Sequence, residues 1–308
     1  MDLVATALLL IYAAVVSFRL GKKYSLKSAS NSSVPAACLL VLSILICWNS
    51  TYSLRWAQII PHGSALLIAN SPLTLLAGVA GLISGLRDLP PLRRNLLASS
   101  LALSAVAVVG SVVLYHHWSP ISIQTAAEWD EGVCLQTHEA SCAPAASVTL
   151  LNQYGIATSE REMAKRCLTS SKGTLSLAAF RGVSNALRSS PFSARAVVEE
   201  PSRFDADDLA LKLPLMALVS FEDQLDRSTV ASQRRRPESG FLHSGLLPMI
   251  ASTLPQQPRE QHAVVLTGRF PNGDWQVADP AVGRVRWSDK YFRGVWVGEG
   301  IYVLSSRQ

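Results

Sequence analysis

Long apolar runs fill the first part of the chain. Near residue 116 they give way to shorter apolar stretches with helical and strand periods. Four runs stand out, at residues 3–18, 34–48 (reaching towards 54), 65–86 and 96–114. Each approaches the roughly 20 residues that a helix needs to cross a bilayer. The first begins Met1-Asp2, lacks a basic start and is followed by basic residues rather than a small-residue cleavage site. It therefore reads as a span and not as a signal peptide.

Beyond residue 117 the pattern is that of a globular domain. Ser147, Val148, Leu150, Leu151 and Tyr154 recur at the spacing of an amphipathic helix that opens near Cys142, and Gly155 stands where it would stop. Ser159 and Glu162 have capping-box spacing for a second helix through Cys167, and residues 175–188 suggest a third. Strands are expected at 194–199 and 215–221, with a helix at 205–213 between them. Strands at 263–269 and 275–278 flank Pro271-Asn272-Gly273, a strong hairpin signal. A strand at 285–287, a short helix near 288–293 and a strand at 301–304 complete the set. Residues 222–261 form a long polar, Pro-rich insertion, with a lid and a disordered segment as the alternatives. The expected architecture is a four-helix transmembrane region over 1–116, followed by an α+β domain over 117–308 with helices packed on an antiparallel sheet.

Charge refines this picture. The net charge of +6 is modest, and much of it lies between the apolar runs, so it sets membrane orientation and points to no nucleic-acid partner. Arg19, Lys22, Lys23 and Lys27 follow the first run, and Arg87, Arg93 and Arg94 follow the third; the second connection has only Arg55. Positive-inside bias then places the N-terminus and the C-terminal domain outside the cell membrane, in a periplasm or its equivalent. No Asp, Glu, Lys or Arg lies within the four runs, which argues against a transport pathway. Ala77, Gly81 and Gly85 recur every four residues and suit close helix approach, either within the bundle or in a homo-oligomer. Arg234, Arg235 and Arg236 read as a solvated loop. The sequence contains no GxxxxGK[ST] loop, so it carries no recognisable ATPase.

The candidate chemistry centres on QTHEASCAPAA, residues 136–146. A thiol at a helix N-terminus has its pKa lowered by the helix dipole and unpaired N–H groups, which suits Cys142 to a nucleophile's role. Gln136, six residues earlier, is placed to donate its amide to an oxyanion. The expected hairpin brings His262 near Asp279, as a general base and its orienting carboxylate require. His138 is a rival base without an evident orienter, and His243 falls in the insertion. A zinc site from Cys134, His138, Cys142 and Cys167 matches no common ligand spacing, and no cofactor or metal is expected.

The segments GVCLQTHEASCAPAASVTLLNQYGI, HAVVLTG and VADPAVGRVRWSDKYF together resemble the bacteriocin-processing, papain-like cysteine peptidases that cut after double-glycine leaders. The resemblance covers roughly residues 132–304. It implies a papain-like fold with Cys142 as nucleophile, His262 as base, Asp279 as orienting acid and Gln136 as oxyanion donor. Ala143 stands where that family has glycine, and the chain looks nearer to membrane-anchored members without an exporter ATPase. In an oxidising compartment Cys134 and Cys167 would be candidates for a disulfide that leaves Cys142 free; Cys38 and Cys47 lie in the second run. Two function classes follow: hydrolysis of peptide or protein substrates beside the bilayer, with acyl transfer as a variant, or a tethered peptide-binding module with little turnover.

Overall fold

A computed structural model describes residues 2–27, 38, 40–41, 53–69, 74–85, 90–221 and 261–305. The chain divides into two compact units, one of residues 1–121 with 166–185 and one of 122–165 with 186–308.

The first unit is helical. Helix α1 (Asp2–Lys27) contains one 23-residue stretch, Val4–Leu26, that is long and apolar enough to cross a membrane, alone in this among the described residues. Short helices α2 (Arg55–Ile59) and α3 (Ala65–Ile68) follow, then the 12-residue apolar α4 (Thr74–Gly85) and the 28-residue α5 (Pro91–Trp118). The four-span expectation is therefore not carried by the described residues. The third expected span, 65–86, contains α3 and α4, with 70–73 outside the described residues. The fourth lies within α5, and 34–48 falls largely outside the described residues.

The small residues of α4 meet α1. A Cβ built at Gly81 would collide with the Phe18 carbonyl oxygen, one at Gly85 would come 2.6 Å from Ser25 Cβ, and Gly78 faces Ser17 at 3.8 Å. Gly21 of α1 abuts the Gly78 carbonyl in the same way. The contacts climb both helices together, so α1 and α4 run parallel. The repeat of Ala77, Gly81 and Gly85 thus serves packing within the chain. Val79 and Leu82 add an apolar cluster with Leu40, Ile83 and Leu101. Helix α8 (Ser176–Ala186) begins in this unit, and its Gly182 lies tight against Cys167.

The second unit is α+β. Strands β3 (Phe192–Val198), β4 (Leu215–Ser220), β5 (Gln261–Arg269), β6 (Trp275–Asp279), β7 (Gly283–Trp287) and β8 (Trp296–Ser305) form one sheet in the order β3-β8-β4-β5-β6-β7, with every neighbouring pair antiparallel. A two-stranded ribbon, β1 (Trp129–Asp130) and β2 (Val133–Cys134), precedes it; its turn uses positive φ at Glu131 and Gly132. On one face Phe204, Trp275, Phe292 and Trp296 form a ring cluster with Val219, Val264 and Val277, under α9 (Ala206–Ala210) and α10 (Asp289–Val295). Asp205 caps α9 by accepting from the N–H groups of Asp207 and Asp208.

Helix α6 (Cys142–Asn152) packs against β2, β4, β5 and β6. It is not the amphipathic surface helix that its spacing suggests, because every residue from Ala143 to Leu151 is buried. Its two interior hydroxyls are satisfied locally: Ser147 Oγ donates to Ala143 O at 2.7 Å, and Thr149 Oγ1 accepts the Cys134 N–H at 3.0 Å. Such pairing is what permits polar atoms in an apolar layer. Helix α7 (Glu160–Arg166) starts as its capping pattern requires, with the Glu162 N–H on Ser159 Oγ at 3.2 Å. The insertion expected over 222–261 lies, but for Gln261, outside the described residues.

Candidate active site

Local sequence puts the thiol at a helix start. Ser141, the N-cap of α6, is buried; its Oγ donates to His138 O at 2.7 Å and accepts the His138 N–H at 3.1 Å, closing a tight loop directly before Cys142. His138 Nδ1 in turn accepts the Ala140 N–H at 3.0 Å. That bond commits His138 to shaping the loop and leaves it unsuited to the base's role.

On the sheet, β5 and β6 pair with Val265 opposite Ala278. Continuing that register by one residue sets Asp279 opposite Val264 and diagonal to His262, within reach of long side chains. His262 Nε2 lies 2.7 Å from Asp279 Oδ1, and both residues are buried, at 9% and 3% exposure. The Ala281 N–H donates to the same carboxylate oxygen at 2.8 Å. With Nε2 on the carboxylate, Nδ1 is the imidazole nitrogen left for the half-buried Cys142 thiol, with which His262 is also hydrogen-bonded. The Phe221 ring flanks His262 at 6.0 Å between centroids.

The electrostatics favour a thiolate–imidazolium pair. Burial raises the Cys142 pKa, but the hydrogen bond and charge of His262, with the N–H groups of Ala263 and Ala143, outweigh it and bring the pKa below the ordinary thiol value. Burial lowers the His262 pKa, but the Asp279 charge and hydrogen bond, helped by the thiol, raise it to about 10. Ala143 is buried and turns its N–H to the sulfur, so its methyl group does not block this contact.

Gln136 stands on the loop beside this group. Its N–H donates to Pro280 O at 2.8 Å, in the turn just after Asp279. Its Nε2 donates to His138 O at 3.2 Å and lies 3.5 Å from Glu139 O; the two carbonyls fix the amide's orientation. The structure thus brings Cys142, His262 and Asp279 together and sets Gln136 on the adjoining loop. It does not join Cys134 to Cys167, since both are buried free thiols. Cys167 Sγ is directed at Ala179 O at 3.9 Å, whereas Cys134 follows the ribbon turn, its main chain held by Thr149. Burial, together with the Glu160 charge, pushes the Cys134 thiol up to about 12.

Sequence reasoning missed Glu160. This residue is 2% exposed, and its carboxylate accepts the Thr137 N–H at 2.9 Å and the Thr137 hydroxyl at 2.8 Å. The only signal in the sequence is an acid at the first position of a helix, which ordinarily marks a solvated N-terminus.

Comparison with known proteins adds family context. Residues 130–226 match the model of the Peptidase C39 family; this stretch includes Gln136 and Cys142 but ends before His262 and Asp279. No curated protein matches the chain. Among solved structures, a double glycine motif protease from an AMS/PCAT transporter, in complex with the leader peptide, is similar at 18% identity, with 58% of this chain and 94% of that chain covered and a TM-score of 0.36. The peptidase domain of Streptococcus ComA, a bi-functional ABC transporter, gives 20% identity, 55% and 94% coverage and a TM-score of 0.36. The N-terminal peptidase C39 like domain of a toxin secretion ATP-binding protein from Vibrio parahaemolyticus gives 10% identity, 55% and 99% coverage and 0.33. Through residues 130–226 the chain resembles the Peptidase C39 family.

Proposed function

We propose that this protein is a membrane-anchored cysteine peptidase that hydrolyses peptide bonds of peptide or protein substrates at the outer face of the membrane. The observation that carries this reading is the buried Cys142–His262–Asp279 arrangement, in which the thiol pKa is lowered and the imidazole pKa raised. The Cys142 thiolate attacks the scissile carbonyl carbon, and the carbonyl oxygen becomes an oxyanion held by the Cys142 N–H and a Gln136 amide hydrogen. The C–N bond breaks as His262 gives its proton to the leaving amine, leaving a thioester. Water, deprotonated by His262, then attacks the thioester; the C–S bond breaks, the acid leaves and the thiolate returns. Asp279 keeps the imidazole oriented and stabilises its charged form throughout.

The anchor rests on Val4–Leu26. The apolar sequence runs at 65–86 and 96–114, which hold α4 and most of α5, support further spans. With an even number of spans, the basic residues in the last turns of α1, Arg19, Lys22, Lys23 and Lys27, favour an outward C-terminal domain.

Labelling of the full chain with iodoacetamide tests the chemistry. The expected result is fast labelling near neutral pH, lost in Cys142→Ala and slowed in His262→Ala. Labelling as slow as that of an ordinary exposed thiol, or indifferent to His262, overturns it. That outcome puts a tethered peptide-binding module in front, a reading favoured by the engagement of Gln136 Nε2 with the His138 carbonyl.

A further inference from the structure

We propose that Glu160 is a positioning residue that holds Gln136 beside Cys142, acting through Thr137. It rests on the peptidase reading only for the purpose that Gln136 serves. Glu160 is almost fully buried, and a buried carboxylate is costly unless its oxygens are hydrogen-bonded. Here Oε1 accepts the Thr137 N–H at 2.9 Å and Oε2 accepts the Thr137 hydroxyl at 2.8 Å. Charge-assisted bonds of this kind are roughly twice as strong as neutral ones. Both acceptors thus converge on one loop residue 23 positions away in sequence.

That residue is the immediate neighbour of Gln136. The Gln136 N–H is tied to Pro280 O at 2.8 Å, beside the carboxylate that orients His262. The loop is therefore pinned at Gln136 by the turn after Asp279, at Thr137 by Glu160, and at His138 by Ser141. Neither the Pro280 bond nor the Ser141 bond fixes the peptide plane between Gln136 and Thr137; the Glu160–Thr137 bond does. Without it, Gln136 keeps its contacts but loses the restraint on the direction in which its amide leaves the main chain.

The test uses the full chain in detergent, as Glu160→Ala, Glu160→Gln and Thr137→Val, each alone and combined with Gln136→Ala. Three quantities are read: the side-chain amide resonance of Gln136 in 15N-glutamine-labelled protein, the affinity for an acetylated peptide aldehyde ending in Gly-glycinal, and the rate of iodoacetamide labelling. The aldehyde forms a hemithioacetal whose oxygen occupies the oxyanion position, whereas alkylation needs no oxyanion donor. Glu160→Ala is expected to move the Gln136 resonance and to weaken aldehyde binding roughly tenfold, a fraction of what loss of an oxyanion donor costs. Glu160→Gln and Thr137→Val, which each keep an acceptor for the Thr137 N–H, should show smaller effects and serve if Glu160→Ala does not fold. None should weaken aldehyde binding further once Gln136→Ala is present, and alkylation should be unchanged. A Gln136 resonance that stays in place, or equal weakening with and without Gln136→Ala, overturns the proposal. Slow, His262-independent alkylation of the unsubstituted protein removes the peptidase reading instead, and the Gln136 resonance then decides the role of Glu160 alone.

Discussion

Asp279 shows how one side chain sets the chemistry of two others. Its carboxylate lies 2.7 Å from His262 Nε2 in a buried setting, where charge–charge terms are weakly screened. Asp279→Asn removes that negative charge, so the imidazolium loses support and the thiolate loses its cation. The expected outcome is a labelling rate–pH profile displaced to higher pH, with the rate near neutrality falling about tenfold for each unit by which the thiol pKa rises. A profile that overlays that of the unsubstituted protein would contradict this. The same shifts enter stability. His262 has a folded pKa raised from 6.5 to about 10, so its contribution is fully present below 6.5 and is lost as pH rises through 10. Cys142 runs the other way: its depressed pKa contributes above the ordinary thiol value of 9.0 and fades as pH falls through the lowered one. Between the lowered Cys142 value and 9.0 the two contributions oppose each other, so denaturant midpoints of the full chain should decline mainly as pH rises from 9.0 to 10, with a smaller decline in Asp279→Asn.

Helices α1 and α4 illustrate a contact specified by what is missing. The close approach at Gly81 leaves no room for a methyl group, because a Cβ there meets the backbone oxygen of Phe18 rather than a flexible side chain. Gly81→Ala must force the helices apart, and overpacking of this kind costs roughly 1–3 kcal/mol. A thermal midpoint in detergent lower than that of the unsubstituted protein is expected. An unchanged midpoint would mean that the two helices do not meet there. Both the repeat and its alternative partners were legible in the sequence. The choice of α1 was not, since a small-residue repeat records that something approaches closely and not what approaches. Helix α6 makes a similar point: periodicity located it, yet an amphipathic period does not foretell burial all round, and only the acceptor on Ala143 and the donor on Cys134 explain how Ser147 and Thr149 are buried.

Across the whole molecule, the helical unit and the α+β unit interleave along the chain, with residues 166–185 grouped with the first and 186–308 with the second. The proposed orientation makes a concrete prediction at this scale. Protease added outside intact spheroplasts should cleave the C-terminal domain, and cleavage only after the membrane is broken would place that domain inside. The orientation depends on Arg and Lys near the ends of the spans, above all Arg19, Lys22, Lys23 and Lys27 in the last turns of α1, and reversing their balance should reverse the result.

Local pattern was enough to place most elements of the second unit and to single out Cys142, His262, Asp279 and Gln136. Caps, helical periods and the Asn-Gly turn act over a few residues, so they leave their mark in a few residues: Gly273 takes φ +89° in the turn, and Asp279 lies where the hairpin leads. The position of β8 between β3 and β4, the burial of α6 on all sides and the reach of Glu160 to Thr137 left no such mark. Each joins residues distant in the chain whose own neighbourhoods suit several partners equally well. Such pairings exist only once the sheet has closed and excluded water, when an unpaired strand edge or a lone buried carboxylate becomes too costly to leave.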